Sequence, residues 1–180
     1  KVRGVLGEAG LLDNIYQPIY ELLLDHKPHT VLELETHLAS KGVPFSQLSS
    51  ALNILFGLGV VQPAAPAQDY SKAKARCLAF NKAIARRSLS VGDIVYFASP
   101  VTGGGVQAQR FSQLFWLGKQ NGGKTAADWA GFAWSVLKGQ NQNIIKDGAT
   151  LQGDDNLTEL TSQAEAWGEK TLPIWTALGI

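Results

Sequence analysis

The chain has 180 residues, of which 45% are hydrophobic and 17% are charged, and its formal net charge is +1. These values exclude a disordered charged tail, a collagen-like repeat and a coiled coil. A single cysteine excludes a disulfide framework, and the longest apolar stretch, Ala51–Val61, is shorter than the ~20 residues that span a bilayer. We therefore expect a cytoplasmic protein without membrane contact. Because the sequence starts at Lys1 and contains no methionine, we also expect a fragment of a longer protein.

The first part of the chain has the pattern of a winged-helix-like unit, over residues 1–67. Apolar spacing and turn residues predict three helices and one strand, at 11–25, 30–39, 46–56 and 60–62. Thr30 and Glu33 have the spacing of a capping box, in which each side chain bonds the backbone N–H of the other residue. Ser46 is the predicted N-cap of the third helix.

The remainder, residues 68–180, is predicted to be a helical unit with a small β-hairpin near 93–107. The Pro- and Ala-rich segment 63–68 is the candidate linker, and Ser99–Gly105 is the predicted hairpin turn. Helices are predicted at 70–87, 109–120, 125–138 and 154–169, with a last short turn at 172–175. The predicted fold class is therefore α+β and mostly helical.

The segment Gly118–Thr125 matches the phosphate-loop pattern GxxxxGK[ST]. That chemistry requires a strand before the loop, whereas Phe111, Leu114 and Phe115 have helical spacing. Thr125 and Asp128 also form a second capping-box pattern. We therefore interpret the segment as a connection between two helices, and keep a nucleotide-binding enzyme as the less favoured hypothesis.

The predicted helix 70–87 is basic and contains no acidic residue. Its cations are Lys72, Lys74, Arg76, Lys82, Arg86 and Arg87. Such a helix faces solvent, or it binds nucleic-acid phosphates or an acidic partner, and the acidic helix 154–169 is a possible partner within the chain. Candidate partner contacts are Lys82, Arg86 and Arg87. Trp116 and Trp134 fall off the apolar stripes of their helices, so we expect them to pack between the two units or to contact a partner.

No catalytic or metal-binding arrangement stands out. The three histidines are unevenly spaced and no second cysteine supports them, so no metal site is predicted. A DNA-binding regulator is the alternative that the winged-helix pattern suggests. The third helix has no charged residue, however, and only Gln47 and Asn53 could reach base edges. Contact with a protein is therefore favoured over sequence-specific contact with nucleic acid.

Several strings together resemble one protein family. They are Tyr96-Phe-Ala-Ser-Pro-Val-Thr-Gly-Gly-Gly-Val106, Arg110-Phe-x-Gln-Leu-Phe115, Thr125-x-x-Asp-Trp129, Lys146-x-Gly148 and Leu172-Pro-Ile-x-x-Ala-Leu-Gly-Ile180. They are similar to the C-terminal part of bacterial class I S-adenosylmethionine-dependent methyltransferases that carry a methyltransferase regulatory domain. This group includes rickettsia-type protein lysine methyltransferases. The resemblance covers most of the chain and is strongest from about residue 78 to the end.

The resemblance implies a non-catalytic regulatory or substrate-recognition module. The family binds S-adenosylmethionine in a separate domain, through a glycine-rich turn and an acidic residue. Val2–Gly7 lacks that spacing, so no catalytic or cofactor residue is carried over to this chain, and the cofactor is expected only in the parent protein. The implied partners are the methyltransferase domain of the same protein or a protein substrate, and the oligomeric state is left open.

Overall fold

The computed structural model describes residues 2–4 and 7–180, with side chains from Gly10 onward. Lys1 and the pair Val5–Leu6 lie outside the described residues, so the predictions about the chain start and about part of Val2–Gly7 fall there. The chain divides into two compact units, Lys1–Ala64 and Ala65–Ile180. This division lies slightly before the predicted boundary at 67/68, since the Ala65 N–H donates to the Val101 carbonyl of the second unit.

The fold is α+β and mostly helical, as predicted. The strands form antiparallel pairs: β1 (Val2–Gly4) with β2 (Gly7–Ala9), β3 (Tyr96–Ala98) with β4 (Gly105–Gln107), and β5 (Ile145–Lys146) with β6 (Ala149–Thr150). The α-helices are α1 (Asp13–Leu23), α2 (Val31–Ala39), α3 (Phe45–Gly57), α4 (Ala67–Arg87), α5 (Arg110–Gln120), α6 (Ala126–Gly139), α7 (Asp155–Ala166) and α8 (Leu172–Ala177). A π-helix, Trp167–Thr171, joins α7 to α8.

The first unit packs α1, α2 and α3 around one apolar core. Buried side chains of this core include Ile15, Ile19, Leu34, Leu38, Leu48 and Leu55. The predicted capping box at the start of α2 is confirmed, because the Thr30 side chain accepts from the Glu33 N–H and the Glu33 carboxylate accepts from the Thr30 N–H. These bonds satisfy two N–H groups that the helix itself leaves without partners.

Two local predictions for this unit are wrong. Residues 60–62 form no strand, since the N–H groups of Val60 and Val61 both donate to the Leu55 carbonyl and close the end of α3. Gly59 makes that closure possible with a left-handed φ of 69°. The N-cap of α3 is Pro44 and not Ser46, and no side-chain cap bond forms there.

The second unit is organised around an aromatic cluster. Phe97 of β3 packs against Trp116 and Trp175, with ring centroids 5.2 Å apart in both pairs. Trp167 packs edge-on against Trp129 at 5.2 Å and against Trp175 at 5.7 Å. Aromatic pairs in such tilted arrangements each stabilise a fold by about 0.5–1.5 kcal/mol beyond the area they bury. The cluster therefore ties the hairpin β3–β4 to the C-terminal helices.

The predicted helix 154–169 is replaced by α7 and the π-helix. Pro173 has no N–H and cannot continue a regular ladder from the preceding turn. The Leu172 N–H instead donates five residues back, to the Trp167 carbonyl. Trp167, at the start of this widened turn, and Trp175 lie in the same core and pack against each other.

No helix in the described part of the chain has both the length and the apolar character needed to cross a membrane.

Candidate protein-interaction groove

An apolar groove in the second unit lies between α4 and the hairpin β3–β4. It has a volume of about 420 Å³. On the α4 side it is lined by Ala73, Cys77 and Phe80, and on the other side by residues 94, 96–99 and 103–105. We call this feature the hairpin groove. No charged side chain lines it.

The mouth of the hairpin groove exposes unusually large apolar side chains. Tyr96 is 54% exposed, Phe80 is 50% exposed and Ile94 is 37% exposed. Single exposed apolar residues are common, but a cluster around one concavity is typical of a surface that binds another molecule.

Asn81 fixes the distance between the two walls. Its side-chain amide donates to the Ala98 carbonyl at 2.9 Å, and its side-chain oxygen accepts from the Ala98 N–H at 2.7 Å. Asn81 therefore takes the place of a neighbouring strand along β3, and it is completely buried. No sequence pattern singled out Asn81 as a site residue. Asn81 lies four residues after Cys77 and three before Ile84, and this helical spacing places it on the inward side of α4. A polar residue on that side was the signal that could have identified it.

The glycine-rich turn of the hairpin is held by Ser99. Its hydroxyl donates to the Leu178 carbonyl at 2.8 Å and accepts from the N–H groups of Val101 and Thr102. Gly103 has a φ of 67°, which a side chain would strain. The predicted hairpin near 93–107 is thus confirmed, with shorter strands than the sequence suggested.

The cations of α4 are only partly neutralised. Lys72 pairs with Asp69 at 2.9 Å, so α4 does contain an acidic residue, because it begins before the predicted position 70. Arg87 makes a bidentate pair with Asp93, and the Arg87 guanidinium lowers the pKa of that carboxyl below its ordinary value. Lys82 and Arg86 are exposed and bond no carboxylate among the described residues.

The structure separates the two candidate tryptophans. Trp116 is only 1% exposed and packs on Phe97, so its expected role as a partner contact is wrong. The helical stripe was misleading because α5 is buried on all sides from Gln113 to Gly118. Trp134 is partly exposed and packs against the edge of the same core.

The phosphate-loop match is a helix connection. Helix α5 precedes it, as expected, and the Asp128 carboxylate accepts from the N–H groups of Lys124 and Thr125, each at 2.9 Å. Those N–H groups are donors that a phosphate would need. The Thr125 side chain accepts from the Asp128 N–H, which confirms the second capping box. The backbone N–H of Lys124 is the main cause of the lowered pKa of Asp128.

Replacing Thr125 with alanine should therefore lower the free energy of unfolding by about 1 kcal/mol, because the N-cap bond is lost. Lys124→Ala should leave the melting temperature nearly unchanged, since the interaction at this position comes from its backbone N–H. Thermal and urea unfolding of both variants test this. A rise in melting temperature with Mg-ATP that Lys124→Ala abolishes would instead restore the nucleotide site.

Acid should weaken the same connection. The pKa of Asp128 is lowered on folding from its ordinary value of 3.8. At a pH above 3.8 the ionised carboxylate therefore stabilises the fold, and this stabilisation is lost as the pH falls through the lowered pKa. Asp128→Asn should therefore reduce the loss of melting temperature between about pH 6 and about pH 2. An unchanged pH profile in this variant would contradict the assignment.

A larger cavity of about 590 Å³ lies between the start of α5 and the π-helix. Its lining includes Arg110, whose guanidinium is already engaged. The guanidinium donates to the Ser88 carbonyl and to the side chains of Gln140 and Gln142. Arg110 thus connects the start of α5 to residues that follow α4 and α6, which indicates a structural role. The hairpin groove is therefore the better candidate for a binding site.

The other functional predictions find no assembled site. Gln47 and Asn53 are exposed on α3, and the helix itself contains no charged residue. Among the described residues, no cluster of three or more His, Cys, Asp or Glu side chains could hold a metal ion.

Comparison with known proteins gives one informative relative. No protein-family model matches the chain, and no solved structure matches it. An uncharacterized protein of Synechocystis sp. is 35% identical over 176 residues, which are 97% of this chain and 34% of that protein. The chain thus spans about a third of the length of the curated relative it matches.

Proposed function

We propose that this chain is a non-catalytic accessory module of a cytoplasmic S-adenosylmethionine-dependent methyltransferase. In this proposal it regulates the enzyme or recognises its substrate, by contact with the methyltransferase domain of the same protein or with a protein substrate. The observation that carries the proposal is the position of Tyr96–Val106, one of the strings that carry the family resemblance. Residues 96–99 and 103–105 of this string form most of one wall of the hairpin groove.

The chemistry of the groove supports binding over catalysis. Its lining has no Asp, Glu, His, Lys or Arg side chain to move a proton or hold a charged intermediate. Ser99 also lines the groove, and the donor and acceptor capacity of its hydroxyl is taken up by the turn and by Leu178. Apolar walls with exposed aromatic side chains at the mouth are typical of protein contacts.

The length of the Synechocystis relative supports a modular parent protein. Nearly all of this chain aligns with about a third of that protein, so most of the relative lies outside the match and has room for a further domain. The proposal assigns cofactor binding and methyl transfer to such a domain in the parent.

Calorimetry with S-adenosylmethionine tests whether cofactor binding belongs to a part of the parent protein outside this chain. We expect no binding heat with residues 1–180 and stoichiometric binding with the full parent protein. Deletion of this module should then leave cofactor binding intact while lowering methyl transfer to the native substrate. Tight, stoichiometric binding to residues 1–180 alone would overturn the proposal, as would unchanged transfer kinetics after the deletion.

A further inference from the structure

The hairpin groove is an apolar site whose unpaired neighbouring charge is positive. The hairpin wall contains no charged residue from Ile94 to Gln109, and the carboxylates that flank the two walls, Asp69 and Asp93, are paired with Lys72 and Arg87. We propose that the groove binds an acidic protein segment that inserts one bulky apolar side chain. This inference rests on the proposed protein-contact function and specifies the chemistry of the partner.

The apolar part of the proposal follows from the shape and lining of the groove. A volume of about 420 Å³ is within the range of roughly 300–1,000 Å³ that is usual for ligand sites. Tyr96 and Phe80 are half exposed at its mouth, and Phe97 is completely buried beneath. A leucine or phenylalanine inserted there would remove these apolar surfaces from water, which favours association.

The acidic part follows from the side of α4 that carries the groove. Arg76 lies three residues after Ala73 and four before Phe80, so it shares a helical face with the groove-lining residues. Arg76 is exposed and forms no salt bridge with a described carboxylate, in contrast to Lys72 and Arg87. A carboxylate beside the inserted side chain would complement Arg76, which favours specificity and rapid association more than raw affinity.

Nucleic acid fits this arrangement less well. At about 100° per residue, Lys82 and Arg86 lie roughly 140° and 180° around α4 from Cys77, away from the groove. A phosphate backbone needs several cations along one track. The groove offers it one cation and an apolar wall, so binding of single-stranded DNA becomes an outcome to be tested.

Cys77 makes the test direct, because it is the only cysteine of the chain and it lines the groove. The probe is a synthetic peptide with glutamates on both sides of one phenylalanine. The readout is the rate at which iodoacetamide alkylates Cys77 in residues 1–180. We expect saturating peptide to slow alkylation at least fivefold. Peptides with lysine in place of glutamate, or serine in place of phenylalanine, should give no protection.

Matched variants on α4 locate the binding site. Ala73→Trp fills the groove and should abolish peptide binding, measured by fluorescence anisotropy, whereas Ala79→Trp on the opposite side of the helix should not change it. Arg76→Glu should weaken binding about tenfold, which is a loss of about 1.4 kcal/mol of binding free energy. Lys82→Glu makes the same charge change away from the groove and should have less than a twofold effect. Circular dichroism confirms that each variant is folded.

Three results would overturn the inference. They are equal protection by the lysine peptide, equal protection by mixed-sequence single-stranded DNA, and equal binding by Ala73→Trp and Ala79→Trp. Failure of the proposed accessory function can be distinguished from failure of the groove assignment. If the peptide binds as expected but deletion of the module leaves the parent's kinetics unchanged, the groove assignment stands and the accessory function falls. If deletion of the module abolishes methyl transfer but no peptide binds, the accessory function stands and the groove assignment falls.

Discussion

Trp116→Ala should lower the free energy of unfolding by about 3–5 kcal/mol, since it removes a large side chain from a closed core. Trp116 is 1% exposed and lies edge-on against Phe97 at 5.2 Å, so truncation leaves a cavity and breaks an aromatic pair. Urea unfolding followed by circular dichroism measures the change. The same substitution should also lower the near-ultraviolet signal of the cluster.

Trp134→Ala is the matched control, because both tryptophans fall off the apolar stripes of their helices. Trp134 is partly exposed at the edge of the core, so its truncation should cost clearly less than that of Trp116. Equal losses for the two variants would contradict the burial that distinguishes them.

Asn81→Leu should lower the free energy of unfolding by about 2 kcal/mol. The substitution removes both bonds to Ala98 and leaves its N–H and carbonyl without a partner beside an apolar side chain. One buried polar group left unpaired costs about 1–3 kcal/mol. Because Asn81 holds α4 against β3, the amide of Ala98 should also exchange its hydrogen faster.

Asn53→Leu provides the control for Asn81→Leu. Asn53 is exposed on α3, so its replacement should change stability by less than about 0.5 kcal/mol. If Asn81→Leu proves equally mild and leaves the exchange of Ala98 unchanged, the side chain does not connect the two walls of the groove.

Local patterns in the sequence predicted the features that local chemistry decides. Both capping boxes, Thr30 with Glu33 and Thr125 with Asp128, depend on residues three positions apart, so the chain itself contains the complete signal. The hairpin near 93–107 was predicted because Ser99–Gly105 is a turn sequence whatever surrounds it. The hairpin β5–β6 was missed, although Asp147-Gly148 is a strong signal for a two-residue turn.

Features that depend on distant parts of the chain were not predictable in the same way. Trp116 was interpreted from one helical stripe, but α4, α6 and β3 together enclose α5, and no periodicity within a single helix reveals this. The π-helix likewise reflects Pro173 acting on a turn that also has to place Trp167 in the core.

The candidate site shows the same division. The sequence identified a basic helix and a glycine-rich turn as separate features, and it pointed to Lys82, Arg86 and Arg87 as contacts. The groove exists only because Asn81 joins the two elements, and this brings Ala73, Cys77 and Phe80 opposite Tyr96. A contact seventeen residues apart along the chain leaves no periodic signal in the sequence.

The most direct test of the proposed function is methyl transfer by the full parent protein carrying one groove substitution. Labelled S-adenosylmethionine and an extract from cells that lack the gene are supplied to the wild type, to Ala73→Trp and to Ala79→Trp. The proposal predicts that Ala73→Trp loses labelling of protein while binding S-adenosylmethionine as tightly as the wild type, and that Ala79→Trp keeps both. Equal labelling by all three proteins, or no labelling by the wild type, would contradict it.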